Sequence, residues 1–162
     1  MNLKSTPDRA KALGSSSHAG KDRRLGSSFA FSITDASQVA EARRRAAAVA
    51  AGLGFNDGDV GRAALVATEA ATNLFKHGRK GELMIRSAED PGEGIEILAL
   101  DHGPGFANLG DCMRDGYSTA GSPGTGLGAM RRASSAFDIH SVPGRGTVLV
   151  SQIRPSPSTG TS

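Results

Sequence analysis

Phe29, Phe31 and Ile33 alternate with small or polar residues, and this period of two predicts a strand at 29–33. The period then changes. Val39, Ala42, Ala46, Val49 and Leu53 fall on one helical stripe, which predicts a helix capped by Thr34 or Asp35 and ended by Gly52 and Gly54. Arg43, Arg44 and Arg45 point in different directions from that helix, which suits solvent or a partner protein better than a shared phosphate site. A second helix is expected from about Asp57 to Lys76, closed by KHGRKGE. ELMIRS and GIEILALD read as strands joined by the turn-rich AEDPGEG. A glycine-rich stretch, 102–126, follows; it is too long for an ordinary connection and is read as functional or mobile. LGAMRRASSAF has the spacing of a short helix, with Leu127, Met130 and Phe137 as candidate core residues. FDIHSV and GTVLVSQI read as strands joined at PGRG. Helices interleaved with hairpin-joined strands imply an α+β two-layer sandwich.

Composition narrows the function classes. The chain has 162 residues, enough for one domain with a hydrophobic core; 38% are hydrophobic but only 4% aromatic, so that core must be built from Ala, Val, Leu and Ile. The formal net charge is +3, and Lys4, Arg9, Lys11, Lys21, Arg23 and Arg24 lie in the first 27 residues. No aromatic residue lies among them, so a solvated, disordered tail is expected at 1–27 and no nucleic-acid partner. Residues 28–153 are expected to form the domain, and 154–162 a second disordered tail. The lone Cys112 has no cysteine partner for a disulfide or a metal site, which fits a reduced, cytoplasmic setting. No apolar run is long enough to span a membrane, and the N-terminal segment lacks the apolar stretch of a secretory signal.

Three segments carry candidate chemistry. EAATN lies on the second helix, where Arg62, Val66, Glu69, Asn73 and His77 share one stripe. Taken alone, such a stripe is a solvent-facing side. With a phosphate nearby, an Asn oxygen suits Mg²⁺ and a Glu one turn away accepts a proton from a hydroxyl or water. DHGPGF ends a buried strand on Asp101, a carboxylate that needs a hydrogen bond at a cleft and suits an amine such as that of adenine. Gly103 and Gly105 would let a flat ring approach the backbone, with Pro104 holding the turn. GSPGTGLGAMRR places Gly121, Gly124, Gly126 and Gly128 before a helix, an arrangement suited to anions. Its spacing is neither the Rossmann fingerprint nor a P-loop.

In this order the segments resemble the N, G1 and G2 boxes of the GHKL (Bergerat) ATP-binding family, which includes histidine kinases and type II topoisomerases. LALDHGPGF, DGYSTAGSPGTGLGAMRR and PGRGT are more closely similar to the RsbT-type serine/threonine kinases, relatives of anti-sigma regulatory factors, over about residues 28–153. The resemblance implies the Bergerat fold, a mixed sheet covered by helices on one face. It implies ATP and Mg²⁺ as cofactors, with Glu69 as general base and Asn73 as metal ligand. Asp101, Gly103 and Gly105 would bind adenine, supported by Thr147; Gly124, Thr125, Gly126, Leu127 and Gly128 would cradle phosphates, and His77 would lie near them. Residues 107–123 would be the ATP lid, with Arg114 within reach of a phosphate. The implied activity is phosphorylation of a STAS-domain antagonist protein in a partner-switching pathway, with a sigma factor or a SpoIIE-type phosphatase as further partners and homodimers as the relatives' habit. The competing reading is a non-catalytic, nucleotide-dependent binding module.

Overall fold

The computed structural model describes residues 27–88, 93–114 and 126–157. Strand β1 (Ser28–Ser32) leads into helix α1 (Ala36–Gly52). Asp35 caps α1 by accepting from the Ser37 amide at 2.8 Å, and Gln38 reaches back to the cap's own amide, a capping box. Helix α2 (Asp57–His77) starts in the same way, with the Asn56 side chain accepting from the Asp59 amide at 2.9 Å. α1 and α2 pack on each other and on the sheet. Strands β2 (Glu82–Ala88) and β3 (Gly94–Asp101) follow, then two short helices, α3 (Leu109–Cys112) and α4 (Leu127–Ala133). Strands β4 (Ala136–Val142) and β5 (Gly146–Ile153) form the closing hairpin.

The sheet order is β1-β2-β3-β5-β4, and every pairing is antiparallel. The α+β two-layer class is as expected, but the expected mixed sheet is not: its described strands alternate in direction throughout. Connectivity explains this. Two helices between β1 and β2 return the chain to the end it left, so those strands run oppositely. β3 and β4 are parallel to each other, but β5 inserts between them and separates them.

Register then decides which side chains are buried. Phe29, Phe31, Leu83, Ile85, Ile95, Ile97, Ala99, Leu149, Ser151, Ile153, Phe137 and Ile139 share the face toward the helices. Met84 and Val148 are exposed on the opposite face. Against the covered face α1 and α2 present mainly alanine, including Ala42, Ala46, Ala63, Ala67, Ala70 and Ala71. Small side chains let the helices approach closely, which is how a chain poor in aromatics fills its core.

Three local expectations are corrected. α4 stops at Ala133, and Phe137 belongs to β4. The Ser134 hydroxyl bonds the Met130 carbonyl and the buried Ser151 hydroxyl, each at 2.6 Å, which closes the helix and turns the chain into the strand. α3 arises inside the glycine-rich stretch because Asn108 caps it through the Asp111 amide. Residues 154–157, expected within a disordered tail, are tied down: Ser156 bonds Asp59 through its amide and hydroxyl, and the Arg154 amide bonds Ser135. Expectations for 1–26, for 158–162 and for DGYST lie outside the described residues.

Candidate active site

The site lies where the sheet's covered face runs out beneath the end of α2. Asp101 closes β3, and its register partner is Thr147 at the start of β5, which in turn opposes Ser141 on β4. These polar residues continue the ladder that Ala99, Leu149 and Ile139 begin in the core. A strand period of two therefore carries an apolar row directly into a polar one at the sheet's edge.

The turn after β3 is organised around Asp101. Its Oδ1 accepts from the Gly103 amide at 2.6 Å. No described donor reaches Oδ2, so that oxygen remains available to a ligand. The protein's own packing requires both glycines. A Cβ at Gly103 would lie 2.6 Å from the His77 carbonyl oxygen. One at Gly105, whose φ is 68°, would lie 2.6 Å from the Val142 carbonyl oxygen and 3.0 Å from Ser141 Oγ. Ser141 thus joins the turn to the hairpin: its hydroxyl accepts from the Phe106 amide at 2.8 Å and lies 3.0 Å from Thr147 Oγ1. Sequence reasoning missed Ser141. The signal was its position in FDIHSV, where it follows Phe137 and Ile139 on the inward face.

Glu69 and Asn73, one turn apart on α2, are both half-buried at the border between core and solvent. Their stripe divides by function. Val66 is fully buried, and Arg62 turns away to Asp59 and to the Ala133 and Arg154 carbonyls. His77 is exposed at the last position of α2. The Glu69 carboxylate lies against Gly126, so closely that a Cβ there would collide with it. Gly126 caps α4 in the left-handed region, with φ of 70°, so both space and backbone require glycine. No described residue donates a hydrogen bond or forms an ion pair to the Glu69 carboxylate. Leu127 and Gly128 continue into α4 and are buried.

Gly124 and Thr125 lie outside the described residues, as does most of the expected lid. Within its described part, Arg114 pairs with Asp111. Burial, and to a lesser degree the Asp111 carboxylate, push the Cys112 thiol up, which disfavours the reactive thiolate. Among the described residues no group of three or more His, Cys, Asp or Glu could hold a metal ion, and no helix is long and apolar enough to cross a membrane.

Comparison with known proteins shows the family of the chain. A family profile described as histidine kinase-like ATPase domain matches residues 32–152. The chain is 36% identical over 112 residues to the serine/threonine-protein kinase RsbT of Bacillus subtilis (strain 168), spanning 68% of this chain and 84% of that protein. Among solved structures it is similar to the histidine kinase domain of the Erythrobacter litoralis EL346 blue-light activated histidine kinase. That likeness has 20% identity and a TM-score of 0.46, over 71% of this chain and 59% of the other.

Proposed function

The chain belongs to the histidine kinase-like ATPase domain family, in its RsbT-type branch, and from that premise we propose that it is a protein serine/threonine kinase. It uses Mg·ATP and phosphorylates a STAS-domain antagonist protein in a partner-switching pathway. The observation that carries this reading is the packing of Glu69 against Gly126. It brings a carboxylate with no described partner onto the glycine turn that would hold the phosphates.

The residues fit the nucleotide. Asp101 Oδ2 is an acceptor for the adenine amine, and Ser141 orients the Thr147 hydroxyl beside it. The backbone at Gly126, Leu127 and Gly128 would hold the phosphates, a role the sequence motif also gives to Gly124 and Thr125. Asn73 would hold Mg²⁺ together with phosphate oxygens and water, a ligand set that suits a hard cation and needs no carboxylate cage. Bound Mg·ATP supplies the phosphoryl group and offsets its charge. Glu69 would accept the proton of the acceptor's Ser or Thr hydroxyl as that oxygen bonds the γ-phosphorus and ADP leaves, and having no described partner it would lose no described bond in doing so.

The deciding experiment measures Mg·ATP binding and phosphate transfer to STAS-domain proteins of the same genome in one assay. Asn73→Ala is expected to weaken magnesium-dependent binding. Glu69→Gln is expected to leave binding intact and to lower transfer by about 100-fold or more. Wild-type binding with no transfer would instead establish a nucleotide-dependent binding module.

A further inference from the structure

Beyond Asn73, α2 ends in an exposed cluster that the chemistry above does not use. Phe75 is 45% exposed and Leu65, on the same helix, is 41% exposed. On the helical repeat Leu65, Thr72 and Lys76 lie beside Glu69, and Phe75 lies next to Thr72 on the side away from Glu69, at the border of the buried face that Ala71 belongs to. Lys76, Arg79 and Lys80 are exposed, and none forms an ion pair with another described residue. Apolar surface and positive charge without a described ion pair therefore share the exposed side of α2 and the turn after it, and Leu65 and Lys76 bring that surface to the candidate base.

The backbone gives a second, independent sign. Lys80 is the sole non-glycine among the described residues with positive φ, at 50°. A side chain there costs strain that glycine would avoid. The turn does not depend on that side chain. The Arg79 carbonyl accepts from the His102 amide at 2.8 Å, and the Gly81 carbonyl accepts from the Ile33 amide at 2.9 Å. A lysine kept in a glycine conformation, in a turn already tied on both sides, points to a use outside the fold.

We propose that Leu65, Phe75, Lys76, Arg79 and Lys80 form the docking surface for the acceptor protein, and that the acceptor presents an apolar knob rimmed by carboxylates. The proposal rests on the kinase reading, since an acceptor hydroxyl must reach Glu69 and this surface borders it. Phe75 and Leu65 supply the desolvated contact, and the cations select an acidic rim and speed its approach.

The test titrates fluorescently labelled STAS-domain proteins of the same genome into the full chain, saturated with magnesium and a non-hydrolysable ATP analogue. Phe75→Ser, and separately the triple variant Lys76→Ser, Arg79→Ser, Lys80→Gly, are each expected to weaken binding about tenfold. Raising salt from about 50 to about 300 mM is expected to weaken the wild type but not the triple variant. Lys80→Gly alone is expected to keep or raise the melting temperature while weakening binding, a combination that a purely structural lysine would not produce. Nucleotide affinity is expected to stay unchanged in all variants. The proposal is overturned if the variants bind the STAS protein as the wild type does, or if their loss follows weaker nucleotide binding, which would assign the cations to phosphates. It is also overturned if no STAS protein binds the wild type, or if only a single-stranded oligonucleotide does. Failure of the kinase reading looks different: binding stays dependent on Phe75 while the wild type transfers no phosphate.

Discussion

The two ends of α2 treat charge in opposite ways. At the N-terminal end Asp59 is 2% exposed and fully engaged: Asn56, Arg62 and both the amide and hydroxyl of Ser156 donate to it. Arg62 in turn donates to the Ala133 and Arg154 carbonyls, so one buried carboxylate gathers the start of α2, the end of α4 and the chain beyond β5. Toward the C-terminal end Glu69 has no described partner, and Lys76, Arg79 and Lys80 have no described ion pair. Paired charge at one end ties three segments of the fold together, and charge without a described partner at the other is where the proposed site and docking surface lie. Buried ionic groups are tolerated only when paired, so the contrast separates structure from function along a single helix.

The largest effect that could break this comparison is at Glu69. Its loss should remove transfer, by about 100-fold or more, with the unfolding midpoint unmoved; a fall in stability of similar weight would make Glu69 structural. Asp59→Ala should do the reverse. Denaturant unfolding should show a loss of about 3 kcal/mol, the lower end of the range for breaking a buried pair because Arg62 stays partly solvated and keeps two carbonyls. Transfer at a temperature where the variant is folded should persist.

Smaller effects sharpen the picture. Asp101→Ala should cost about 1–3 kcal/mol of nucleotide binding in a titration, since it removes one half-buried acceptor. Asp59 also predicts a pH limb. Burial pushes its carboxyl up, yet the Ser156 amide, Arg62 and the Ser156 hydroxyl outweigh that and hold it below the ordinary value of 3.8. Its contribution is therefore full above the unfolded-state value and is lost as pH falls through the folded one. Unfolding curves measured from neutral pH downward should show this acid loss in the wild type, and Asp59→Asn should flatten it.

Much of the architecture was legible because it is local. GIEILALD coincides with β3, and Asp35 caps α1 because a capping side chain acts within its own turn. DHGPGF and GTGLG stood out through their order along the chain after EAATN, since each alone fits an ordinary turn or loop. The reason for those glycines was not legible. Gly126 faces Glu69 and Gly105 faces Ser141, contacts between elements far apart in the chain. Arg62 was grouped with Glu69 by helical period, but its guanidinium follows Asp59 and two distant carbonyls instead.

The sequence by itself determined the five strands, the two long helices, the cap of α1 and most of the candidate residues, since periodicity and capping depend on neighbours a few positions away. Tertiary structure alone decided that β5 enters between β3 and β4, that every pairing is antiparallel, and that Ser156 closes on Asp59. It also decided that Glu69 meets Gly126. Each of these joins residues whose proximity is set by the packing of a whole layer, and no local pattern encodes such a distance.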